Sequence, residues 1–125
     1  MRSLEQYDDM FYKQSHKKRA RWVALASKVT VVLYLCDGAR KYVPAEIIAS
    51  HAAKTYPEAF VTKINGRKLP DTYPVVRALE KATSPRWRYA EGDWIKGWKL
   101  TRRGIQFAEE VKAIKDWKWH IEPET

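Results

Sequence analysis

The sequence predicts an α+β domain that is mostly helical, on three observations. Trp22, Leu25, Ala26, Val29, Val32, Leu33 and Cys36 recur at spacings of three and four, the period of a helix with one buried face. The segment RWRYAEGDWIKGWKL at 86–100 is aromatic and partly alternating, the pattern of two short strands, with the turn expected at Glu91-Gly92-Asp93. Thr101 then supplies a capping hydroxyl ahead of an amphipathic run carrying Ile105, Ala108, Val111 and Ile114.

The elements follow in order. The stretch SLEQYDDMFYKQSHKKRARW has helical character, with Leu4, Tyr7 and Phe11 or Met10 to one side. Its acids (Glu5, Asp8, Asp9) precede its bases (Lys13, Lys17, Lys18, Arg19), which complements a helix dipole. The run KKRAR at 17–21 either breaks that helix or carries it into the next. The next helix, from residue 21 onward, stops at Asp37-Gly38, where glycine takes the left-handed cap conformation without strain. Tyr42 and Val43 make a very short strand. Pro44 suits a first helical position, because its missing N–H is not needed there. The helix over 44–56 buries Ile47 or Ile48, Ala52 and Tyr56 until Pro57 ends it. EAFVTKINGRKLP reads as a long basic connection with a turn at Asn65-Gly66. A helix over 71–83 follows, capped by Asp71 or Thr72, with Val75, Val76, Leu79 and Thr83 on one side and Tyr73, Arg77 and Lys81 on the other.

Composition narrows the function. Twenty-four Lys and Arg against fifteen Asp and Glu give a net charge of +9 and a pI near 9.7, which favours a polyanionic partner. The single cysteine, Cys36, leaves no internal disulfide and no multi-cysteine zinc site. The acidic, polar start lacks a signal-peptide pattern, and the apolar run VTVVLYLC is far too short to span a bilayer. A cytoplasmic protein without membrane contact is expected.

The order helix, short strand, helix, helix, hairpin, helix resembles the winged helix-turn-helix, three helices packed beneath a small antiparallel wing, here with an extra N-terminal and C-terminal helix. The most specific match is the strand ending WKLT, followed by RRG and an amphipathic helix, which is similar to the LT-x-x-G exit from the wing; Gly104 would let that helix approach the sheet closely. The pattern is also similar to winged helices found ahead of some restriction-type nucleases. The resemblance implies an N-terminal helical extension at 1–20, a winged-helix domain at 21–119 and a flexible tail at 120–125. It further implies a protein that binds double-stranded DNA as a transcriptional regulator or DNA-recognition subunit, with a homodimer as one arrangement; with no catalytic motif in the sequence, a non-enzymatic protein without a cofactor is expected. Carried onto this chain, the recognition helix is 71–83, with Thr72, Tyr73, Arg77 and Lys81 facing out. Arg86, Arg88, Lys96 and Lys99 belong to the wing, and Arg67 and Lys68 precede the recognition helix. Two features depart from the pattern: the connection after Pro57 is long, and a turn bearing Glu91 and Asp93 would repel phosphate.

Each reading has a structural counterpart. The Tyr73, Arg77, Lys81 stripe is otherwise a solvated helix face, and KKRAR a helix-to-helix seam. Arg102 and Arg103 sit at the positive end of a helix dipole, which is unfavourable for cations unless an anion approaches. Trp22, Trp87 and Trp98 read as core. Trp117 and Trp119 dock back on the first helix or form an interface, and they favour the alternative function, a protein-interaction module on the same scaffold. Pro70-Asp71 and Glu110 to Lys112 spell the PD…(D/E)-x-K nuclease signature, but on a helix Glu110 and Lys112 point roughly opposite ways, so that reading is rejected. His16, His51 and His120 are isolated, leaving no metal spacing and no catalytic residue.

Overall fold

The structure, a computed structural model, describes residues 25–114 and residue 117. The expected helix within 1–20, the KKRAR run, Trp22, His16, Trp119, His120 and the tail at 120–125 lie outside the described residues. The chain is α+β and mostly helical, with two separate two-stranded antiparallel sheets.

Helix α1 is described from 25 to 35. The expected face, Leu25, Ala26, Val29, Val32, Leu33 and Cys36, is buried, but the burial is not one-sided: Ser27, Lys28, Thr30 and Val31 are buried as well. The reason is the run VTVVLYLC, which places apolar side chains around the whole circumference, so the helix is stable only when enclosed. Two of its buried polar groups have partners in view. Thr30 Oγ1 donates to the Ala26 carbonyl at 2.7 Å, and Lys28 Nζ lies 5.4 Å from the centroid of the Tyr56 ring. The helix ends in a Schellman motif, but Asp37 rather than Gly38 takes the left-handed conformation, at φ 71°. Gly38 N–H bonds the Leu33 carbonyl at 2.8 Å and Asp37 N–H the Tyr34 carbonyl at 3.2 Å. Arg40 grips Asp37 at 2.9 and 3.1 Å, and that hydrogen bond holds the Asp37 carboxyl below its usual range.

Helix α2 spans Ala45–Thr55 and buries Ala45, Ile48, Ala49 and Ala52, leaving Ile47 exposed. Pro57 ends it and at once starts the short helix α3, Pro57–Phe60. The expected connection after Pro57 is corrected next: strands β1 (Val61–Ile64) and β2 (Arg67–Pro70) form a second hairpin. Asn65 and Gly66 both take positive φ, 51° and 78°, the backbone of a type I′ turn, whose twist matches that of the flanking strands. Its base is closed by Asp71 N–H donating to the Phe60 carbonyl at 2.9 Å.

Helix α4, Thr72–Thr83, starts where Asp71 accepts the Tyr73 amide at 3.1 Å. Val75, Val76, Ala78, Leu79 and Ala82 are buried against α2 and against strand β3 (Ala90–Asp93). Strand β4, Gly97–Leu100, pairs with β3 from Ala90↔Leu100 to Asp93↔Gly97. Its other edge is covered as well. Val43 exchanges two backbone hydrogen bonds with Trp98, at 2.8 and 2.9 Å, and Leu100 N–H reaches the Gly38 carbonyl at 2.8 Å. Helix α5, Arg102–Lys112, packs on β4, with Thr101 Oγ1 accepting the Gly104 amide at 3.1 Å. That hydroxyl in turn donates to the Arg88 carbonyl. Ala108 and Val111 are buried as expected and Ile105 is half-buried, but the helix stops at Lys112 and Ile114 is exposed. The core gathers Val29, Leu33, Ile48, Phe60, Val75 and Leu79 between the helices. Among the described residues no helix is long and apolar enough to cross a membrane.

Candidate nucleic-acid interface

The α4 stripe lies where the sequence puts it. Thr72 and Arg77 are exposed, Lys81 is half-buried, and Tyr73 is 68% exposed. Arg77, Glu80, Lys81 and Ser84 line a shallow depression of about 300 Å³ along this face. Arg77 pairs with Glu80 at 3.4 Å, one turn along, both side chains about half exposed. An exposed pair of this kind contributes about 0.3–0.5 kcal/mol and yields easily to a better anion.

The expected turn of the second hairpin is displaced. Glu91, Gly92 and Asp93 belong to strand β3, and the tip is formed by 94–96, that is Trp94, Ile95 and Lys96. The acidic groups therefore do not project from it. Glu91 lies opposite Lys99 in the register, with a 3.7 Å ion pair, and accepts from the Tyr42 hydroxyl at 3.4 Å. Asp93 Oδ1 accepts the Ile95 and Lys96 amides at 2.9 Å each. These amide bonds, led by that of Lys96, hold the Asp93 carboxyl below its usual range. Lys96 and Lys99 converge: each Nζ lies 5.2 Å from the Tyr42 ring centroid.

Arg86 and Arg88, expected on the second hairpin, lie outside it. They occupy the turn after α4, before β3 begins at Ala90. Arg88 takes a left-handed conformation at φ 50°. Arg86 lies 5.7 Å from the Trp87 ring, Trp87 contacts Tyr89, Tyr89 stacks on Phe107 at 4.6 Å, and Arg103 lies 5.8 Å from Tyr89. A cation–aromatic ladder thus joins the turn after α4 to the start of α5. Arg102 is exposed beside it. Arg67 is exposed on the first hairpin, whose register pairs the backbone positions of Lys63 and Lys68.

The sequence reading missed Tyr42 as the platform for two lysines and the Trp94-Ile95 apex of the hairpin. The Asx pattern was the available signal: an Asp that bonds the amides two and three residues on places the turn after itself. Of the core tryptophans, Trp98 is buried and Trp87 half-buried. Trp117, expected to dock back on the first helix or to form an interface, is half-buried, its ring edge-on to Tyr56 at 6.3 Å; among the described tryptophans the exposed one is Trp94. Cys36 is buried, and burial pushes its thiol up to about 11. Among the described residues no three His, Cys, Asp or Glu side chains gather as a metal site. Comparison with protein-family models, with curated proteins and with solved structures finds no match.

Proposed function

We propose that the protein binds duplex DNA as a winged helix-turn-helix, with α4 in the major groove and the β3–β4 hairpin as its wing. The observation that carries this reading is the division of α4. One side is fixed in the core by Val75, Val76, Ala78, Leu79 and Ala82, while Tyr73 and Arg77 face outward from a rigid, capped helix. A side chain that reads bases must be mounted in this way, because its specificity depends on position. A bidentate contact of Arg77 to guanine is worth about 1–3 kcal/mol, more than its exposed pair with Glu80. The Lys96–Tyr42–Lys99 cluster supplies positive charge on the hairpin, and the net charge of +9 acts in the same direction. The minimal third strand at Val43, bonded to the free edge of β4, agrees with this architecture.

The test is binding of a fluorescent random-sequence duplex at two salt concentrations, wild type beside Arg77→Ala/Lys81→Ala. Four phosphate contacts imply an affinity loss of about a hundredfold between about 50 and 200 mM salt. The double variant is expected to lose at least tenfold at low salt. Wild-type protein indifferent to the duplex, or a double variant that equals it, would remove α4 as the reading element.

A further inference from the structure

An isoleucine at the apex of a hairpin is 97% exposed, next to a tryptophan that is 62% exposed. A single exposed apolar residue is ordinary. This one is distinguished by its mounting. The Trp94 ring stands edge-on to Trp98 at 5.8 Å and 71°. Trp98 is itself 3% exposed and bonded through its backbone to Val43, so Trp94 is braced from the core. Asp93 Oδ1 clamps the amides of both Ile95 and Lys96, which fixes the backbone that projects Ile95. Behind the apex, Lys96 and Lys99 share the Tyr42 ring. The nearby carboxylates of Asp93 and Glu91 are engaged by the turn amides and by Lys99.

We propose that this tip is an apolar wedge for duplex DNA: Ile95 enters between two adjacent base pairs, with Trp94 bracing it and Lys96 meeting a flanking phosphate. The proposal rests on the DNA-binding reading above and adds deformation of the duplex to it. Proteins that kink DNA insert a small aliphatic or aromatic side chain at a base step and offset the unstacking with contacts to the bent backbone. A rigid mount favours that use, since a mobile tip would lose its ordering entropy on insertion. Charge selects the occupant. An apolar tip with Lys96 at the apex, on a chain of net charge +9, gains most from a polyanion. Between an anionic lipid surface and a nucleic acid, one side chain at the apex is enough for a base step, whereas membrane binding grows with the apolar area buried and needs a broader face.

The experiment uses the full chain and duplexes carrying 2-aminopurine at flexible pyrimidine–purine steps, read at saturating protein so that affinity differences do not enter. Wild type is expected to raise 2-aminopurine fluorescence at least twofold. Ile95→Ala, at an exposed position where folding is unaffected, is expected to bind severalfold more weakly and to lose most of that rise at saturation. Ile64→Ala, on the first hairpin, is the control and keeps it. Saturated wild-type binding with no rise, or an undiminished rise in Ile95→Ala, overturns the wedge and leaves the DNA-binding reading standing. Absence of duplex binding overturns both. Ile95-dependent binding to vesicles containing about one-third phosphatidylserine, without duplex binding, would assign the tip to membranes.

Discussion

Gly104→Ala sets two effects of opposite sign against each other. Gly104 lies in the first turn of α5, and a Cβ built there would stand 1.9 Å from the Tyr89 carbonyl oxygen, 2.8 Å from its carbon and 3.0 Å from Leu100 Cδ2. Helix propensity alone favours alanine by about 1 kcal/mol. Relief of the clash requires α5 to retreat by more than 1 Å, roughly, against a backbone atom that cannot rotate away. That movement stretches two hydrogen bonds, Thr101 N–H to the Tyr89 carbonyl at 3.0 Å and Gly104 N–H to Thr101 Oγ1 at 3.1 Å. Overpacking costs about 2 kcal/mol and the two bonds about 1 kcal/mol each, so the net destabilisation is about 3 kcal/mol. For a domain of this size that is a fall in Tm of about 10 °C. Urea unfolding followed by circular dichroism should show a lower midpoint at unchanged slope. A variant as stable as wild type, or more stable, would refute the close helix-to-turn packing on which the α5 joint depends.

Three further outcomes are expected. Gly66→Ala meets no atom within 4 Å, so it pays only for its left-handed backbone at φ 78°; a loss of about 1–2 kcal/mol in the same urea assay, clearly less than for Gly104→Ala, would agree with the type I′ turn. The Cys36 thiol, pushed up to about 11 by burial, should react slowly with Ellman's reagent at about pH 8 in the native protein and fully in denaturant. Its raised value means that the stability it contributes is complete below the unfolded thiol's range and is lost as pH rises toward 11. The Asp93 carboxyl is depressed by the turn amides, so its contribution is present above about pH 4 and is lost as pH falls through its folded value. Asp93→Asn keeps an acceptor oxygen but not this titration. Thermal melts should show the gap between wild type and variant constant above about pH 5 and shrinking in acid, and a gap indifferent to pH would exclude the clamp.

Much of the helical frame was legible because its signals are local. Pro44, Asp71 and Thr101 mark helix starts through backbone donors and caps that any solvent-exposed terminus needs, and each starts a helix within one residue of its expected place. The first hairpin was missed for a different reason. Asn65-Gly66 was recognised as a turn, but the four-residue strands VTKI and RKLP carry two lysines, an arginine and a proline, too little apolar alternation to register as strands. Their pairing is fixed by the turn geometry and by the Phe60–Asp71 closure, which becomes visible only when both ends are placed together. Helix α1 shows the complementary failure. Periodicity detects contrast between faces, and the residues of VTVVLYLC supply none, so a helix buried on every side until its last turn reads as a one-sided helix with extra valines.

The site divides along the same line. Arg77 and Tyr73 were legible because their exposure follows from the burial of Val75, Val76 and Leu79 on the same helix, a relation internal to twelve residues. The chemistry of the hairpin was not, because it depends on a register shift. With the turn at Glu91-Gly92-Asp93, two carboxylates crown the hairpin and repel phosphate; with the turn at 94–96, the same two carboxylates fall behind the apex. There, Glu91 meets Lys99 and Tyr42, and Asp93 binds amides. No residue changes between the two arrangements, yet the apex goes from acidic to apolar, with Lys96 beside it. What a hairpin presents at its apex is thus set by which residue satisfies the turn amides, and here the competition is decided by Asp93, whose side chain reaches the amides of Ile95 and Lys96 only if the chain turns after it.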